Sequence, residues 1–136
     1  NNIQTVINFD LLIWPKFLFE LSFDSNPKFQ CTKIQEIDQL QHLNLAKSNL
    51  NNINLEACFN FSIYVYFYYL DLSQNNLEII RNFYFKSNYF LSQLNFSHNN
   101  IYIIEPGSFS DLESLSILDL SSNKLKSFSI DLFSSS

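Results

Sequence analysis

The sequence predicts an α/β repeat solenoid, with one short strand per repeat forming a concave parallel β-sheet and irregular or short helical segments on the convex side. Three observations point to it. Residues 70–80, 94–104 and 118–128 read LDLSQNNLEII, LNFSHNNIYII and LDLSSNKLKSF, each starting 24 residues after the last. Within each stretch apolar and polar residues alternate, the period-two pattern of a strand with one buried face. An asparagine follows three residues after the second strand leucine, where the chain must turn out of the sheet. A single such strand cannot bury its inner face, so copies stack side by side and their apolar positions form continuous columns.

Widened leftwards, each copy fits LxxLxLxxNxL: Phe67, Leu70, Leu72, Asn75, Leu77; Leu91, Leu94, Phe96, Asn99, Ile101; Leu115, Leu118, Leu120, Asn123, Leu125. This is the leucine-rich repeat signature. These residues, and the stretch GSFSDLESLSILDLSSNKL, resemble the 24-residue class of animal extracellular receptors, Toll-like receptor ectodomains among them. The resemblance implies a leucine-rich repeat horseshoe that binds a protein ligand or co-receptor, in innate immune recognition or cell adhesion. It also implies an extracellular or cell-surface location and a glycoprotein. The alternative is a cytoplasmic scaffold, or a regulatory domain attached to an enzyme. The cysteine clusters that cap extracellular members of the family are absent.

The repeats are expected near residues 1–17, 18–39, 40–66, 67–90, 91–114 and 115–136. The first opens midway, since NNIQTV matches the second half of NNIYII. The second carries Leu18, Leu21, Phe23 and Asn26, with Lys28 where a core leucine belongs. The third runs through Leu40, Leu43, Leu45, Leu50 and Ile53, and Ser48 replaces its turn asparagine. A hydroxyl has one donor where an amide has two, so this turn is expected to be the loosest. The next repeat comes after 27 residues, which requires a convex bulge within residues 54–61. Phe85 and Phe109 occupy matching convex positions, where apolar steps of three or more favour turns or short helices over strands. Glu105-Pro106-Gly107 is a turn signal. Strands are expected near 20–24, 42–46, 69–73, 93–97 and 117–121. Beyond Phe133 nothing polar covers Leu118, Leu120 or Leu125.

With 136 residues and 46% apolar content, the chain is one domain's worth and has ample material for a core. The net charge of -5 argues against nucleic acid as a partner. The longest apolar run, Ile63 to Leu70, is far shorter than the roughly 20 residues of a spanning helix, so no membrane span is expected. A chain that starts with Asn and has no methionine reads as a piece of a longer protein. Cys31 and Cys58 fall at apolar positions and read as core thiols, since free cysteine behaves as a small hydrophobe. Neither belongs to a CxxC pattern, and no metal or cofactor is expected.

Outward strand residues define the candidate ligand face. By spacing, the first column holds Glu20, His42, Tyr69, Gln93 and Ile117, and the second Ser22, Asn44, Asp71, Asn95 and Asp119. A third holds Asp24, Ala46, Ser73, Ser97 and Ser121, and an edge holds Ser25, Lys47, Gln74, His98 and Ser122. The second and third repeat a D/N and S pattern and read as structural. The informative positions are therefore Glu20, His42, Lys47, Tyr69, Gln74, Gln93 and His98. Asn26, Ser48, Asn75, Asn99 and Asn123 form the structural turn ladder, whereas Asn88 lies outside the motif and is expected to tolerate truncation. The sequons Asn60-Phe61-Ser62 and Asn95-Phe96-Ser97 are candidate glycan acceptors on the convex and concave sides. An enzyme is not expected: His42 and His98 are two repeats apart, and no activated nucleophile accompanies them.

Overall fold

In the computed structural model of the chain, residues 18–27, 37, 39–58, 60–61 and 66–134 are described. The opening repeat, Lys28 and Cys31 lie outside them, and so does the side chain of Cys58, which leaves the thiol expectation outside as well. The alternating LxL segments form five strands: β1 Glu20–Ser22, β2 His42–Asn44, β3 Tyr69–Asp71, β5 Gln93–Asn95 and β7 Ile117–Asp119. All pair in parallel, in the order β1-β2-β3-β5-β7. Leu21, Leu43, Leu70, Leu94 and Leu118 pair in register, which stacks the central leucines into one inward column. Leu43, Leu70 and Leu94 are fully buried, as are Leu45, Leu72 and Phe96 beside them. Burial of each such side chain contributes about 1.5–3 kcal/mol.

Each strand is two residues shorter than its expected span, and in β2, β3, β5 and β7 the second column shows why. Asn44, Asp71, Asn95 and Asp119 each accept, through Oδ1, the backbone N–H two residues on, at 2.8–3.0 Å. The side chain takes a donor the ladder would otherwise use, and the chain bends out of the sheet. The expectation for the third column holds only at its ends: Asp24 and Ser121 are exposed, whereas Ala46, Ser73 and Ser97 are buried instead of facing solvent.

The turn asparagines form the expected ladder. Asn75 donates through Nδ2 to the carbonyls of Leu45, Leu72 and Ser73, and accepts from the N–H groups of Ser48 and Leu50. Asn99 donates to Leu72, Phe96 and Ser97 and accepts from Leu77; Asn123 donates to Phe96, Leu120 and Ser121 and accepts from Ile101. Ser48 is fully buried, and its hydroxyl reaches the carbonyls of Phe23 at 2.9 Å and Ala46 at 3.2 Å. Serine thus keeps contact with the preceding repeat through a single shared donor. Asn26, expected to begin the ladder, is half-buried.

On the convex side the 27-residue repeat accommodates its extra length in a helix, α1 Asn52–Cys58. A second small parallel sheet, β4 Ile79–Ile80 with β6 Ile103–Ile104, was not anticipated. It arises because those two repeats share a 24-residue spacing, so their outgoing chains run side by side in register. One repeat earlier the chain is already helical. There the Asn52 side chain substitutes for a strand, accepting from Glu78 N and Ile79 N and donating to the Ile79 carbonyl. Residues 82–87 and 106–111 are turns, as the spacing suggests, and Gly107 has a positive φ of 74°. Phe61, Phe85 and Phe109 are buried, with ring centroids 5.8 and 6.4 Å apart, and Phe133 follows at 5.5 Å from Phe109. Phe133 lies in a 3-10 helix, Ile130–Phe133, which buries Leu132. Leu118, Leu120 and Leu125 are half-buried.

Asn88 departs from its expectation. It is almost completely buried and donates to the Phe61 carbonyl at 2.9 Å, which ties one convex turn to the next. Truncation would strand a buried acceptor there, as it would in the ladder. Asn99→Ala and Asn88→Ala are therefore each expected to lower unfolding free energy by about 1–3 kcal/mol. Urea denaturation of both variants checks this, and an Asn88→Ala midpoint equal to that of the parent chain would refute the revised role.

Candidate functional site: the concave face

Register fixes the first column. Glu20 pairs with His42, His42 with Tyr69, Tyr69 with Gln93, and Gln93 with Ile117. Neighbouring strands lie about 4.8 Å apart, so the row presents a carboxylate, an imidazole, a phenol and an amide along one line. Four of the seven expected ligand-face residues, Glu20, His42, Tyr69 and Gln93, line a single recess of about 350 Å3, together with Asn44 and Tyr68. Ile117 continues the row as an exposed apolar side chain.

The recess is aromatic on one side. The His42 ring lies 6.1 Å from that of Tyr68 and 6.1 Å from that of Tyr69, tilted by 56° and 38°. Tyr69 Oη donates to Asp71 Oδ2 at 3.2 Å, and Asn95 Nδ2 donates to the same oxygen at 3.3 Å. Burial raises the Tyr69 phenol pKa, and the Asp71 carboxylate beside it raises it further by charge and by accepting its hydrogen bond. The phenol therefore stays a donor across the physiological range. Asp71 also caps Ser73 N, so one carboxylate both shapes the strand end and orients the recess tyrosine.

Lys47, Gln74 and His98 do not join the recess; they lie at the opposite, C-terminal end of the strands. Ser25, Lys47, Gln74, His98 and Ser122 all have φ between 53° and 58°, the left-handed region. Ser25, Lys47, Gln74 and His98 each donate their N–H to a carbonyl in the next repeat, those of Ala46, Ser73, Ser97 and Ser121. What this edge position demands is thus a backbone conformation, and its side chains are held out into solvent. Asp119 has its carboxyl pKa lowered, first by hydrogen bonds from the Ser121 hydroxyl and N–H, then by the charge of nearby His98.

Sequence reasoning missed Tyr68. It precedes β3 and so falls outside the alternation that defined the columns. A signal was present, since the matching positions Gln41, Ser92 and Ser116 are polar and only Phe19 is otherwise aromatic. Beside it, exposed Tyr66 and Phe90 stack at 6.3 Å and extend the aromatic surface along the flank. Of the two sequons, Asn60 is exposed just beyond α1, next to a recess of about 240 Å3 lined by Leu55, Glu56, Phe61, Phe83 and Tyr84. Asn95 is half-buried, with its amide engaged by Ser97 N and Asp71. Among the described residues, no group of three or more His, Cys, Asp or Glu could hold a metal ion, and no helix is long and apolar enough to cross a membrane.

Comparison with known proteins agrees with this geometry. A family model described as leucine rich repeat matches residues 67–125. Among solved structures, a chain of the crystal structure of the TLR13-ssRNA13 complex superposes with a TM-score of 0.57 at 28% identity. The match covers 78% of this chain and 16% of that chain. A comparison with curated protein sequences finds no match.

A left-handed position excludes β-branched side chains far more strongly than it does glycine. Gln74→Val is expected to cost about 1–3 kcal/mol through local strain, with Gln74→Gly near neutral. Thermal melts of the two variants decide the matter, and equal melting points would contradict it.

Proposed function

We propose that this chain, a leucine-rich repeat protein resembling part of a Toll-like receptor, uses its concave sheet to bind a protein ligand or co-receptor in an extracellular or cell-surface setting. The observation that carries the reading is the recess over β1, β2, β3 and β5. It is the place where outward side chains of four different kinds converge, while the second column beside it is occupied with capping the strand ends. Tyr69 is the anchor, because a tyrosine already held by a hydrogen bond adds contact area at little further entropic cost. Solenoids of this kind use extended concave surfaces for binding.

The related structure's title names RNA as that protein's partner. Here the concave row and its neighbour carry Glu20, Asp71 and Asp119 and neither lysine nor arginine, and the chain as a whole has a net charge of -5. A phosphate backbone needs cations in this position, so the charge pattern favours a protein. Once a partner is captured with the full-length protein, Tyr69→Ala is expected to weaken its binding at least about tenfold, the effect of a hot-spot residue. Lys86→Ala on the convex side should leave affinity unchanged. Equal affinities for both variants would remove the concave face as the binding surface.

The exposure of Asn60 on the convex side supports its sequon as the glycan acceptor of a secreted receptor, since a sugar there leaves the concave recess open. In a secreting host, glycopeptide mass spectrometry should find Asn60 occupied and Asn95 bare. Occupancy at Asn95 alone would reverse the assignment and push a ligand toward Lys47, Gln74 and His98.

A further inference from the structure

We infer that the first-column recess receives an arginine side chain of the partner, which deepens and rests on the concave-face reading above. At about 350 Å3 the recess is at the small end for a cofactor or metabolite site. It suits one long side chain better. Its wall consists of the rings of Tyr68, His42 and Tyr69, with His42 in the middle and tilted against both neighbours; Tyr68 is exposed and the other two are half-buried. Its rim is acidic. Glu20, next to His42 in register, is exposed and makes no hydrogen bond or ion pair with the described residues. Asp71 holds the Tyr69 hydroxyl from behind. Among the described residues no lysine or arginine lines the recess, and Gln93 supplies an amide oxygen, while that of Asn44 already accepts from Ala46 N.

A guanidinium matches each of these features. It is planar and stacks on aromatic faces, and a cation within about 6 Å of a ring centroid is attracted by the ring's quadrupole. Its forked donors suit the Glu20 carboxylate in a paired geometry and leave further N–H groups for the Gln93 amide oxygen. Lysine offers a point charge without the plane and gains less from three rings. An apolar side chain would strip water from Glu20, Asn44 and Gln93 without replacing its hydrogen bonds. A carboxylate or phosphate would face Glu20.

The test is a titration of the chain with N-acetyl-arginine amide, read by two-dimensional amide NMR, with the lysine and leucine analogues as comparators. The amides of Glu20, His42, Tyr69 and Gln93 should shift with the arginine analogue and saturate in the ~millimolar range expected of one side chain. The lysine analogue should bind several-fold more weakly and the leucine analogue not at all. Glu20→Gln should weaken arginine binding up to about fivefold, the scale of an exposed ion pair, and Glu20→Lys should abolish it. Glu20 is exposed, so unchanged amide positions elsewhere will show that both variants fold. Equal shifts with the leucine analogue, no shift at saturating arginine analogue, or full binding by Glu20→Lys would each overturn the inference. A partner that depends on Tyr69 while the arginine analogue fails to bind would overturn the arginine assignment alone. Arginine binding together with a partner indifferent to Tyr69→Ala would overturn the concave-face reading alone.

Discussion

A chain that reverses direction inside an apolar stack has to satisfy its backbone there, because water does not reach the turn. Each strand of the five-stranded sheet is only three residues long, so the ladder cannot absorb the polar groups that follow. Asparagine is suited to the corner because its amide donates and accepts at once. Asn75 and Asn99 close five and four such bonds, to their own turn and to the repeat before. With about 1–3 kcal/mol at stake for every buried group left unpaired, a turn of this kind weighs as much as a core leucine. Both the register of the sheet row and the recess above it depend on these corners holding the strands in place.

The convex side follows a different rule, in which volume matters more than bond count. Phenylalanines at a spacing of one repeat fill the space behind the leucine columns, and the turns around them vary in shape. The helix α1 enters without disturbing the sheet because its extra residues lie before Phe61, where the aromatic column resumes. Tyr84 holds it in place, donating to Glu56 Oε1 and accepting from Asn52 Nδ2, and burial raises the phenol's pKa well above its usual value. Arg81 spans Glu56 and Glu105 at 3.5 and 3.0 Å. Such exposed pairs contribute about 0–1 kcal/mol, less than the aromatic burial they border.

The strand positions, the inward columns and the turn ladder could be read from the sequence because each follows from a period and a residue type. What escaped depends on relations the period does not encode. The length of each strand is set by a side-chain cap two residues back, so Ala46, Ser73 and Ser97 were assigned to the wrong face. Asn88 looked incidental because its partner, the Phe61 carbonyl, belongs to the irregular repeat. β4 and β6 pair only where two successive repeats have equal length. In the site, alternation found Glu20, His42, Tyr69 and Gln93, but Tyr68 flanks its strand outside the alternating span and needed the three-dimensional neighbourhood of His42 to be recognised.

The ladder also has a direction. Asn75 serves the N–H groups of Ser48 and Leu50, Asn99 that of Leu77, and Asn123 that of Ile101. In every case the amide lies one repeat later than the backbone it completes. The backbone runs the other way: the N–H groups of Asn76, Asn100 and Lys124 are completed by the carbonyls of Leu50, Leu77 and Ile101 one repeat earlier. Side-chain amides thus serve the predecessor while backbone donors depend on it, and each joint between repeats is closed from both sides. Excising one repeat would leave orphaned groups on both flanks of the gap, so the scar would spread in both directions along the solenoid.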